Sequence, residues 1–241
     1  MRLKLNSYLC SLLVMIMLFA SGTNVFASGI PIHGSDQYTP KVTLEEDTIE
    51  PLPNAIPITL TPSHERLVVH VGNIGVDPLD SVTVTGSATD YGTLAPQTAK
   101  VPPVIGTSFV WNVPMTKAVM NYYVTITVVD GSQTRVLYGS AKLEFSESHL
   151  AALGWNAGTF SSRGASLNYH FSKHRAEVNA ANMHDYIFAA GTCRQDVINN
   201  PSNYRKTANS GSIPAHKYKN NNDGRFIILT DSNNEILSFG R

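Results

Sequence analysis

Short apolar–polar alternations fill the middle of the chain. The runs "AIPITLT", "RLVVHVGN", "SVTVTGSA", "TSFVWNV", "NYYVTITVVDG" and "TRVLYGSAKLEF" are rich in Val, Ile, Thr and Tyr and are separated by turn residues such as Asp130-Gly131. A period of two over runs of this length specifies half-buried strands, and no helical apolar period persists through them. Residues 53–147 therefore read as an all-β, Ig-like antiparallel sandwich of about seven strands.

The pattern changes after residue 147. "SESHLAALGWNAGTFSSRGAS" begins with a helical turn and continues as a Gly/Ser linker, residues 148–165. In "LNYHFSKHRAEV", Leu167, Phe171, His174 and Val178 fall on one helical stripe, and His170, Lys173 and Glu177 on the stripe beside it. Ser166 is placed to cap this helix. A second helix starts at Asn182, with Asp185 in its first turn; it turns Met183, Tyr186, Ile187 and Ala190 inward and ends near residues 191–194. "INNPSNYRKTANSGS" reads as a polar loop. "IPAHKYK", "RFIILT" and "EILSFGR" then form a three-stranded antiparallel meander, its first turn marked by Asp223-Gly224. Residues 166–241 are thus a small α+β domain, and the fold class is multi-domain: a β-sandwich followed by two helices and three strands.

At the N-terminus, Arg2 and Lys4 precede an apolar run from Tyr8 to Ala20 and a polar stretch ending Val25-Phe26-Ala27. This is the layout of a secretory signal peptide over residues 1–27, cleaved after Ala27, and its apolar run is too short to span a membrane. The expected destination is extracellular, with no transmembrane segment in the mature chain. Residues 28–52 are polar, acidic and proline-bearing, which reads as an extended leader. Of the two cysteines, Cys10 lies in the signal segment, so the mature chain keeps Cys193 alone and has no internal disulfide.

Charge sharpens the division. The overall formal charge is zero, but residues 28–154 hold twelve acidic side chains against six Lys and Arg, whereas residues 155–241 hold six against ten, with four histidines besides. Such asymmetry makes the second half the candidate for an anionic ligand.

Three readings compete for the histidine pair. In the first, both histidines only border a helix core. In the second they share a zinc ion, as residues one helical turn apart can, but the intervening "FSK" lacks the glutamate of a metalloprotease helix, Lys173 would repel a dication, and no Cys cluster supplies further ligands. In the third they cut RNA without metal or cofactor. That chemistry needs a base for the 2′-hydroxyl proton, an acid for the leaving 5′-oxygen, and cations that stabilise the phosphorane. His170 and His174, flanked by Lys173 and Arg175 and followed by strands with His216, Lys217, Lys219, Arg225 and Ser238, contain those parts.

Two resemblances add to this reading. "VHVGNIGVDPLDSVTVTG" resembles the opening of Ig-like or CARDB-like modules of bacterial secreted proteins, which implies a display or binding role. "SLNYHFSKHRAEVNAANMHDYIFAA" followed by "DGRFIILTDSNNEILSFGR" resembles the C-terminal RNase toxin domains of bacterial polymorphic toxin systems, in the barnase/EndoU/colicin/RelE-like group. These show an "H-F-x-K-H-x-x-E" helix, a "Y-x-x-A" second helix and terminal strands. The resemblance implies that His170 or His174 is the general base or acid, that Arg225 clamps phosphate and that Ser238 donates a hydroxyl. Lys173, Lys217 and Lys219 would hold the RNA backbone. It also implies an acidic cognate immunity protein and a role in bacterial competition. The chain departs from the pattern at Arg175, where such helices carry glycine, and in its Asn-rich loop before Ile213. The alternatives are a non-enzymatic surface or matrix protein with a polyanion-binding module, and a zinc-dependent hydrolase.

Overall fold

The strands expected from the alternation form two of the three sheets among the described residues. The computed structural model describes residues 41–46 and 56–241, the former as backbone only. The signal segment, its cleavage point after Ala27 and most of the acidic leader lie outside the described residues.

In the first half, β1 (Lys41–Glu46), β4 (Leu79–Ala88), β5 (Gly92–Val101), β7 (Val119–Asp130) and β8 (Gln133–Glu144) make a five-stranded antiparallel sheet in the order β1-β8-β7-β4-β5. A second sheet, order β2-β3-β6, is built from β2 (Ile58–Pro62), β3 (Arg66–Val71) and β6 (Thr107–Asn112). Period-two burial puts Leu67, Val69 and Val71 of β3 and Met120, Tyr122, Val124, Ile126 and Val128 of β7 into one core. Trp111 belongs to that core and donates its indole N–H to the Ala95 carbonyl at 2.8 Å, tying β6 to β5.

Two of these strands are absent from the sequence reading. Residues Lys41–Glu46, read as leader, pair along β8. Strand β5 is an edge strand with only Leu94 and Val101 buried, and Pro96 falls where its register against β4 shifts. An edge that buries so little shows no apolar alternation, and proline is tolerated there because it owes no ladder hydrogen bond.

The second half carries the helices α1 (Glu147–Ala152), α2 (Arg163–His174) and α3 (Met183–Asn199), then a four-stranded antiparallel sheet in the order β12-β11-β10-β9. Its strands are β9 (Tyr204–Ala208), β10 (Ala215–Asn220), β11 (Phe226–Thr230) and β12 (Ile236–Gly240). The expected three-stranded meander is thus corrected to four strands. Strand β9, read as loop, buries Tyr204 and exposes its other four residues, so it carries no core signal. Helix α3 also runs past its expected end at residues 191–194, through Asn199, because Cys193 and Val197 continue its buried stripe. Among the described residues no helix is long and apolar enough to cross a membrane.

The segment expected as a free linker is packed. Leu150 and Trp155 are each 0 % exposed, and Trp155 donates its indole N–H to Ser166 Oγ at 3.3 Å. The two halves share one core, with Met183 N–H donating to the Met115 carbonyl and Ala118 N–H to Asn168 Oδ1.

Candidate active site on the sheet edge

Helix α2 begins four residues earlier than its sequence signal. Ser162, not Ser166, is the N-cap; its hydroxyl accepts from Ala165 N–H at 3.0 Å. The Glu147 carboxylate accepts from Arg163 and Gly164 N–H at 3.0 and 2.9 Å, so three first-turn donors are satisfied. Those bonds, led by the one from Gly164, hold Glu147 below the usual carboxylate range. Ser166 instead lies buried within the helix.

Leu167, Phe171 and His174 go into the core as expected, but the helix stops at His174, so Val178, expected on the same stripe, lies on the turn beyond it and is half-buried. His170, one position off it, faces the last strand, where its Nδ1 lies 3.2 Å from Ser238 Oγ. Rings enclose it: Trp155, Phe160 and Tyr169 present themselves at centroid distances of 6.1, 6.0 and 5.0 Å, and His174 stacks at 6.1 Å. Burial, then the neighbouring His174 and Lys173, lowers the His170 pKa to about 4. At neutral pH its imidazole is therefore uncharged, with one ring nitrogen able to accept a proton. His170 and Ser238 stand on the wall of a cleft of about 310 Å³ to which Thr159, Phe160, Tyr169 and Asn209 also contribute.

Register identifies what lies beside that cleft. Directly opposed residues in an antiparallel sheet share a face. Thr207, Lys217, Ile228 and Ser238 form one cross-strand row, and Arg205, Lys219, Phe226 and Gly240 the next. Three cations and the Ser238 hydroxyl thus occupy a single face. Lys217 holds its ammonium 3.9 Å from the Phe226 ring centroid, and Lys219 and Arg205 are exposed. At strand spacings of about 4.8 Å, Lys217 starts two strands, or about 10 Å, from Ser238.

The remaining expected site residues lie elsewhere. His174 is 6 % exposed, sits edge-on to Phe226 and places Nδ1 3.0 Å from Glu177 Oε2. Glu177 Oε2 also accepts from the Arg241 N–H at 2.9 Å, and that bond is the first cause of its lowered pKa. Arg225 lies on the turn before β11, with Nε 2.6 Å from Asp223 Oδ2; strand alternation gives it the opposite face, that of Ile227. His216 shares that opposite face and binds Asp231. Lys173 rests 5.6 Å from the Tyr169 ring centroid at the cleft rim. Arg175 stacks over Phe171, close enough to Tyr91 for its charge to oppose the upward push of burial on that phenol.

The structure therefore brings together His170 and Ser238 with Lys217 and Lys219 on the adjoining sheet face, and leaves His174, Arg225 and Arg175 outside the cleft. Phe160, Tyr169, Asn209 and Arg205 are its unforeseen neighbours. Phe160, an aromatic isolated in a Gly/Ser-rich run, was the one local signal for them. Compared with known proteins, the chain matches no family model and no curated protein.

Proposed function

We propose that the C-terminal half is a metal-independent endoribonuclease of a secreted bacterial toxin, presented by an Ig-like N-terminal module and restrained in its producer by an acidic immunity protein. The carrying observation is the His170–Ser238 pair at a cleft that opens beside the cationic rows of Arg205, Lys217 and Lys219. A neutral imidazole at His170 takes the 2′-hydroxyl proton of a bound nucleotide. The 2′-oxygen attacks phosphorus, the bond to the 5′-oxygen breaks, and that oxygen takes a proton from solvent water while the protonated His170 returns its own to solvent, giving a 2′,3′-cyclic phosphate and a 5′-hydroxyl. Lys217 and Lys219 hold the phosphodiester and offset its developing charge, while the Ser238 hydroxyl fixes the ring of His170. His174, held by Glu177, supports the packing beneath His170 rather than touching substrate.

The test uses the full mature chain with total RNA and tRNA in EDTA. Wild type is expected to cleave and leave 2′,3′-cyclic phosphate ends, with His170→Ala reducing the rate by about 10²- to 10⁴-fold and Lys217→Ala/Lys219→Ala weakening RNA binding. The same cationic rows also favour a binding module. Absence of cleavage, with salt-sensitive RNA retention unaffected by His170→Ala, would establish that second reading instead. Cleavage only when EDTA is omitted would establish the zinc-dependent alternative.

A further inference from the structure

The inner part of the cleft differs chemically from the sheet face beside it. Phe160 and Tyr169 meet at a centroid distance of 5.1 Å and an interplanar angle of 39°, and Tyr169 remains 47 % exposed. The other polar contributors are the hydroxyls of Thr159, Ser166, Ser212 and Ser238 and the amide of Asn209; His170 is the only titratable imidazole, and no carboxylate, Lys or Arg lines the cleft among the described residues. An uncharged chamber with an aromatic wall and an amide suits a planar, neutral ring with donors and acceptors on its edge. A bare anion gains little there. Its volume of about 310 Å³ falls at the small end of ligand sites. The anion-holding groups stand just outside: Lys173 over Tyr169 at the rim, and Lys217 in the same cross-strand row as Ser238.

We infer that this chamber is a nucleobase subsite, in which one base stacks on Tyr169 with Phe160 behind it and the Asn209 amide reads its edge. The inference rests on the ribonuclease reading for its biological meaning, but its geometry is independent of whether the chain cuts RNA. Stacking a base on Tyr169 would place the attached ribose toward His170, whose ring meets Tyr169 edge-on at 5.0 Å, and its phosphate toward the lysines. Aromatic stacking tolerates every base, so the amide and hydroxyls set any preference. Sequence choice thereby comes from the segment between α1 and α2 and the loop before β10, while the cationic rows supply affinity without choice.

The probes are uridine 3′-monophosphate, adenosine 3′-monophosphate and inorganic phosphate, titrated against the full mature chain by calorimetry. Both nucleotides are expected to bind at least about tenfold more tightly than phosphate. Tyr169→Leu should cost the nucleotides about tenfold or more and leave phosphate unchanged, and Tyr169→Phe should retain wild-type binding. Asn209→Ala should alter the ratio between the two bases. Unfolding curves keep the test clean, since an exposed ring can be replaced without a core cavity. Nucleotides that bind no better than phosphate, or that ignore Tyr169→Leu, would overturn the subsite. If RNA is not cleaved but nucleotides bind in a Tyr169-dependent way, the subsite stands and the ribonuclease reading falls; cleavage with nucleotide binding indifferent to Tyr169 gives the reverse.

Discussion

At the scale of the residue, the environment of His170 decides what it can do. An exposed imidazole titrates near 6.5, so a general base of that kind loses activity as the pH falls below neutrality. The rings around His170, with His174 and Lys173, bring it to about 4 instead. The profile of kcat/KM reports the free protein. If His170 is the base, kcat/KM is expected to stay level from pH 7 down to about 5 and to fall only as the pH approaches about 4. If His170 must be protonated to act as the acid, kcat/KM rises over the same interval. A level acidic limb assigns the base role, and a rising one moves His170 to the leaving group. Ser238→Ala separates positioning from proton transfer: the loss of the 3.2 Å contact is expected to lower kcat without abolishing activity, whereas His170→Ala removes the proton-transferring group itself.

At the scale of the element, α2 owes its start to side chains outside its own apolar period. Ser162→Ala should destabilise the protein by about 1 kcal/mol, the usual cost of losing a hydroxyl cap, measurable as a lower midpoint in urea. The same substitution at Ser166 removes no cap and leaves the Trp155 indole N–H without its partner. Such a cap is hard to locate from sequence, because Ser166 directly precedes the apolar stripe whereas Ser162 is followed by Arg163 and Gly164, and the choice is made by Glu147 from the preceding helix. What repeats locally was legible: the stripe Leu167, Phe171 and His174, the Asn182 cap of α3, and six of the first half's strands all follow from spacing. Strands β1, β5 and β9 were not, since each is a sheet edge, and β5 and β9 bury little of their length. The site divides in the same way. Lys217, Lys219 and Ser238 share a face because of cross-strand register, which period two could only narrow to one of two faces. Neither the opposite face of Arg225 nor the cleft made with Phe160 and Asn209 has any local signature.

At the scale of the whole molecule, the two halves meet at a group of histidines that makes their union sensitive to acid. His64, on the turn between β2 and β3, stacks on His184 of α3 at a centroid distance of 4.2 Å and 12° between planes. Phe145 follows at 6.1 Å from His64, and His149 of α1 packs on Phe145 at 5.8 Å. Burial first and His184 second bring the His64 pKa down to about 4 and lower that of His149; Asp185 alone pulls His64 the other way. In the unfolded chain these imidazoles titrate near 6.5. Between about 6.5 and about 4 the unfolded state therefore binds more protons than the folded one, and linkage makes stability fall as the pH drops through that window. His170 contributes in the same direction. The thermal midpoint of the protein is expected to be level near pH 7 and to decline steadily from pH 6.5 to pH 4.5. His64→Phe keeps an aromatic ring against His184 and removes one titrating group, so its decline should be shallower than that of wild type. A His64→Phe variant whose midpoint falls as steeply as wild type would place the acid sensitivity elsewhere. A shallower slope would mean that the contact joining the β-sheets to the helices is itself weakened by protonation.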